Sequence, residues 1–168
     1  WSSDVCSSDL LVDNNPGVLS RIAGLFSRRG YSIDSITAGT TADPRFTRIT
    51  VVASGDELIL SQIENQVRKL EDVIEIKLLK DGESVFRELI MIKVRVTAAQ
   101  RGEINSIADI FRAKIVDVQE ESMIIELTGT QSKLEGFMNL LKGYEILELA
   151  RTGITGLSRG CEDVTYIG

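Results

Sequence analysis

The feature of this sequence that most limits its fold is one pattern of apolar spacing that occurs twice. From Leu10 the spacing runs strand, helix, strand, strand, helix, strand, and after Lys80-Asp81-Gly82-Glu83 the same order starts again at Phe86. Laid over each other at one offset, Gly17, Ile22, Phe26 and Ile33 fall on Gly102, Ile107, Phe111 and Val118. Beyond the longer hairpin of the first half a shorter offset applies. There Ile49, Val51, Ala53 and Gly55 meet Met123, Ile125, Leu127 and Gly129, and Leu60, Ile63 and Val67 meet Leu134, Phe137 and Leu141. Matching apolar positions speak for shared architecture rather than shared function. The β-α-β-β-α-β order is that of the ferredoxin-like split unit. The expected fold class is therefore α+β, two such domains in tandem over residues 10–81 and 84–168.

Local signals mark the elements. Pro16 and Gly17 open a helix with Val18, Leu19, Ile22, Leu25 and Phe26 on one face, capped by Asn14 or Asn15 and ended by Gly30. Residues 31–41 and 47–54 read as strands around Ala42-Asp43-Pro44-Arg45. Asp56 caps a second helix, and 73–79 closes the unit as a strand. In the second half, strands are expected at 86–97, 115–119, 122–128 and 145–150, with helices at 102–112 and 132–141. The first nine residues, WSSDVCSSD, break strand alternation with six Ser and Asp. Residues 1–9 therefore read as a non-native or disordered leader. The stretch from Gly153 to Gly160 reads as a flexible basic tail, solvated or docked on a partner.

Charge and composition narrow the function. A formal net charge of −6 counts against nucleic acid, whose phosphates need clustered Lys and Arg. The complete absence of histidine removes the commonest general base and transition-metal ligand, so neither a catalytic nor a metal residue is assigned. Cys6 and Cys161 share no metal-binding spacing. No apolar run reaches the roughly 18 residues of a membrane span, and the start lacks a signal-peptide pattern, so no membrane partner and a cytoplasmic location are expected. A sheet with helices on one face leaves Ile- and Val-bearing surface to cover. A homodimer is the expectation.

One turn stands out as a candidate site. In Asn14-Asn15-Pro16-Gly17-Val18-Leu19, free backbone N–H groups at a helix start make a carboxylate-sized anion site, and Gly17 permits close approach. The same residues serve simply to start and cap a helix, which the pattern alone favours. The glycine spacings match no phosphate-binding loop. Arg21, Arg28 and Arg29 could belong to an acyl-phosphate-hydrolysing site on this fold, but their helix positions suit solvent or partner contacts better.

The run Leu11–Ile36, LVDNNPGVLSRIAGLFSRRGYSIDSI, resembles the ACT domain of the acetolactate synthase small-subunit family. So do Asp43–Thr50, Gln62–Leu70 with Val73, Arg87–Val94, Phe111-Arg112, Ile115–Val118, Leu127–Thr130 and the tail Ala150–Gly160, together spanning residues 10–160. The resemblance implies a non-catalytic regulatory subunit with an N-terminal ACT domain for dimerisation and effector sensing. Its partner would be the large catalytic subunit, which would carry thiamine diphosphate, Mg and FAD, leaving no cofactor in this chain. It implies feedback inhibition by valine in branched-chain amino acid biosynthesis, with valine bound where two ACT domains meet. Asn14, Gly17, Val18 and Leu19 match the family's effector turn, and Ser32 with Ile33 match the wall supplied by the second subunit. Ser32 stands where the family commonly has Asn; a hydroxyl offers fewer hydrogen bonds, so weaker valine binding or another ligand follows. The other reading is an amino-acid-binding ACT module serving a different enzyme or regulator.

Overall fold

The computed structural model describes residues 5–161. Its contacts divide into two units: the chain up to Val85 together with the tail from Ile154, and Phe86–Gly153.

The first unit runs β1 (Val5–Asp13), α1 (Val18–Arg28), β2 (Ser32–Thr40), β3 (Phe46–Ser54), α2 (Glu57–Arg68) and β4 (Val73–Leu79). Its strands form one antiparallel sheet in the order β2-β3-β1-β4, as the split unit requires. Central β1 places Leu10 opposite both Ile49 and Ile76. Onto that face α1 brings Val18, Ile22, Leu25 and Phe26, and α2 brings Ile63 and Val67. Each such side chain contributes about 1.5–3 kcal/mol on burial, which is what holds short helices to the sheet. Asp56 caps α2 as expected, its side chain accepting from the Ile59 N–H at 2.8 Å.

The start of β1 overturns the disordered alternative for residues 5–9 of the expected leader. Val5 through Asp9 pair with Ser54 through Thr50 of β3, so strand begins five residues before Leu10. Backbone pairing is indifferent to side-chain polarity, and the polar residues bear the consequence: Ser7 and Asp9 are buried. Residues 1–4 lie outside the described residues.

The second unit contains most of β5 (Ser84–Arg95), then α3 (Ala98–Phe111), β6 (Lys114–Val118), β7 (Ser122–Gly129), α4 (Gln131–Leu140) and β8 (Glu145–Arg151). Its main order, β6-β7-β5-β8, is that of the first sheet, and Ile90, Ile92, Val94, Ile125 and Leu127 meet Ile104, Leu134 and Phe137 in its core. Helix α3 begins a full turn before the expected Gly102. Thr97 and Gln100 form a reciprocal cap there, the Thr97 side chain accepting from the Gln100 N–H and the Gln100 side chain accepting from the Thr97 N–H.

The tail, expected in the 84–168 domain, has a strand over residues 155–158 that pairs β5, while its contacts group the segment from Ile154 with the first unit. Gly153, at φ 89°, turns the chain, and the segment from Ile154 packs on the first unit. The Ile154 N–H donates to Ser35 Oγ at 3.4 Å, and its carbonyl accepts from Thr37 Oγ1 at 3.2 Å. Lys77 Nζ donates to Ser158 Oγ at 3.1 Å, and the Arg159 N–H to the Glu83 carbonyl at 2.8 Å. Between them β9 (Thr155–Ser158) forms a short strand. Ile36 packs among the helices, so Ser35 and Thr37 point to the opposite face of β2. The tail is a strap across that face, and its first residue, Ile154, is buried.

Candidate functional site

The turn between β1 and α1 is built by backbone. Gly17 is the N-cap of α1 at φ 85°, a left-handed conformation that costs a residue with a Cβ about 1–2 kcal/mol. Neither Asn14 nor Asn15 caps the helix: no side chain does, and the first turn holds no acidic residue. The positive end of the α1 dipole is therefore not offset by a carboxylate of its own helix.

Asn14 ties this turn to the β2–β3 hairpin. Its N–H donates to the Arg45 carbonyl at 2.8 Å, its amide Nδ2 donates to the Pro44 carbonyl at 3.0 Å, and its Oδ1 accepts from Thr47 Oγ1 at 3.1 Å. One N–H of the side-chain amide and a lone pair of Oδ1 remain beyond these bonds. Arg21 lies one helical turn above Gly17, with Nη1 3.2 Å from where a Gly17 Cβ would stand. Its Nε donates to Asp72 Oδ2 at 2.6 Å. That bond holds the Asp72 carboxyl below the usual carboxylate range. Arg21 stays half exposed, in keeping with a helix position suited to solvent or partner contacts, and its spacing of four residues also sets it over the turn.

Ser32 and Ile33 sit elsewhere. Ser32 is exposed at the start of β2, opposite Ser54, whereas Asn14 is bonded to Thr47 at the other end of β3. Seven residues of β3 separate these points, roughly 24 Å at about 3.4 Å per residue. Within one chain the structure brings Asn14, Gly17, Val18 and Leu19 together and leaves Ser32 and Ile33 at the far end. The Val18 side chain is buried in the core and Ile33 packs against it, so Val18 offers a ligand its backbone, while Leu19 is 45% exposed. Among the described residues no group of three or more His, Cys, Asp or Glu could hold a metal ion, and no helix is long and apolar enough to cross a membrane.

Comparison with known proteins covers both units. Residues 9–75 match the family model described as an AHAS small subunit-like ACT domain, and residues 87–160 match the one described as the small subunit of acetolactate synthase. The chain is 46% identical over 151 residues to the probable acetolactate synthase small subunit of Methanothermobacter thermautotrophicus, covering 89% of this chain and 90% of that one. It is 41% identical over 152 residues to the acetolactate synthase isozyme 3 small subunit of Escherichia coli, covering 90% and 93%. The crystal structure of the acetolactate synthase small subunit from Thermotoga maritima superposes with a TM-score of 0.86 at 40% identity, over 94% of this chain and 99% of that one.

Proposed function

The chain belongs to the acetolactate synthase small-subunit family, and from that premise we propose that it stimulates a thiamine-diphosphate-dependent catalytic subunit and makes it sensitive to valine. In this reading the chain forms no acetolactate by itself, and thiamine diphosphate, Mg and FAD reside in the partner.

One observation carries the sensing part: the two halves of the effector site lie at opposite ends of β2 and β3. They can line one pocket only if two chains associate. Strand β2 is the edge of the first sheet, and antiparallel pairing of two β2 edges sets the Ser32 end of one beside the Thr40 end of the other. Thr40 pairs with Thr47, the residue bonded to Asn14, so the pairing delivers Ser32 and Ile33 of one chain to the Gly17 turn of its partner, twice per dimer. Backbone N–H groups of the α1 start, with the Arg21 guanidinium beside them, suit the valine carboxylate. Ser32 Oγ and Asn14 Oδ1 supply acceptors for the ammonium, and Leu19 and Ile33 supply apolar surface for the side chain. Inhibition then follows as linkage, because valine shifts the holoenzyme only by binding one of its states more tightly.

Complementation between two defective chains tests this. Gly17→Asp fills the turn and repels a carboxylate, while Ser32→Lys brings a cation to the ammonium side. Each variant alone should fail to bind valine. The heterodimer of one with the other keeps one pocket made of two unmutated halves, so calorimetry on isolated heterodimer should recover about half the unmutated stoichiometry. A mixed dimer as blind as either parent contradicts the shared site.

A further inference from the structure

Arg21 is held with its guanidinium over the start of α1, and the holder is Asp72. Asp72 lies in the turn between α2 and β4, where the backbone is tied to β1: the Asp13 N–H donates to the Asp72 carbonyl at 2.9 Å. The Asp72 side chain is 15% exposed against 48% for Arg21, so the acid is the fixed partner of the pair. The Asn15 side chain, inside the β1–α1 turn, gives the same carboxyl a further hydrogen bond. Arg21 commits only Nε to Asp72, at 2.6 Å. Nη1 and Nη2 donate no hydrogen bond among the described residues, and Nη1 stands over Gly17. A half-exposed arginine gives up much rotamer freedom when it is fixed, so a partner that fixes it beforehand removes that cost from ligand binding.

We propose that Asp72 is a positioning residue of the effector site: it aims the Nη edge of Arg21 at the carboxylate of an amino acid seated on the Gly17 turn, and so makes a free carboxylate a requirement for the ligand. The inference rests on the valine reading above and adds what holds the carboxylate-binding group in place. The end of a guanidinium and a carboxylate meet through two parallel N–H···O bonds, a match that a mobile side chain makes less well than an anchored one. Asp72 has a second effect of opposite sign. Its own charge, with that of Glu71 close to Arg21, repels an anion at the turn. With Arg21 present the aim outweighs that repulsion, which solvent screens at a half-exposed site. With Arg21 removed, only the repulsion is left. Asp72 therefore helps valine binding in one background and hinders it in the other, a reversal that a merely structural residue does not produce.

The test is a double-mutant cycle on the full chain, with calorimetry of L-valine binding and urea unfolding of each variant to fix its folded fraction. Arg21→Gln should weaken valine binding by about tenfold or more, as expected for a lost bond between charged groups. Asp72→Ala should weaken it by about fivefold or more while Arg21 is present. In the Arg21→Gln chain the same Asp72→Ala change should leave valine binding unchanged or tighter. Asp72→Asn, which keeps an acceptor for Nε, should weaken binding less than Asp72→Ala. Equal weakening by Asp72→Ala in both backgrounds overturns the proposal, because Asp72 would then act through the fold of the turn. Unchanged or tighter binding on Asp72→Ala with Arg21 present overturns it as well, as does unaltered affinity in Arg21→Gln. Each of these leaves the valine reading intact. Absence of any binding heat in the unmutated chain overturns the valine reading itself, and this inference with it.

Discussion

Asp9 carries the least comfortable side chain in the first unit. It is 1% exposed in the central strand, with Arg48 Nε 3.5 Å from an oxygen that accepts no hydrogen bond. Desolvation raises its carboxyl above the ordinary value, and the positive charges of Arg48 and Lys77 only partly oppose that. A carboxyl with a raised value in the folded state binds its proton more tightly there than in the unfolded chain. Its contribution to stability is complete below about pH 3.9 and is lost as pH rises through the folded value. Asp9→Asn removes this titration. The stability of the unmutated chain minus that of the variant should therefore fall as pH rises from about 4 to 7, measured by urea unfolding at each pH. A difference that stays level or grows contradicts the account. The misfit of Ser7 and Asp9 was readable in the sequence as broken alternation; that β1 would form regardless was not, because the ladder with β3 is a tertiary fact.

At the scale of elements, a reciprocal cap adds to the packing of Ile104 and Ala108 that holds α3. Thr97→Ala removes the acceptor for the Gln100 N–H and should cost about 1 kcal/mol in chemical denaturation followed by circular dichroism. A loss indistinguishable from zero would mean that the first turn of α3 is not held by its cap. The helices and strands themselves were legible because each presents one apolar stripe, as Ile22, Leu25 and Phe26 do on α1 and Ile90, Ile92 and Val94 on β5. The start of α3 was misplaced because Gly102 resembles a beginning, whereas Thr97-x-x-Gln100 is one. Of the candidate site, the turn could be read from Asn14-Asn15-Pro16-Gly17. The Arg21–Asp72 pair joins residues 51 apart, and the strap joins residues 117 and 119 apart. Contacts at such separations leave no periodic trace in a sequence.

For the whole molecule, duplication gives two units of one topology, and the turn proposed to bind the effector lies on the first of them. The two sets of residues proposed for the effector site lie at different ends of that first sheet, so sensing is proposed as a property of two chains together. Stimulation of the catalytic subunit is proposed as a property of their complex with it. The central claim is regulation without catalysis, and reconstitution tests it most directly: acetolactate formation by the cognate catalytic subunit, alone, with this chain, and with this chain plus valine. The account expects no product from this chain alone, a higher rate on adding it to the catalytic subunit, and a fall in that rate as valine is titrated in. A catalytic subunit whose rate is the same with and without this chain would contradict it.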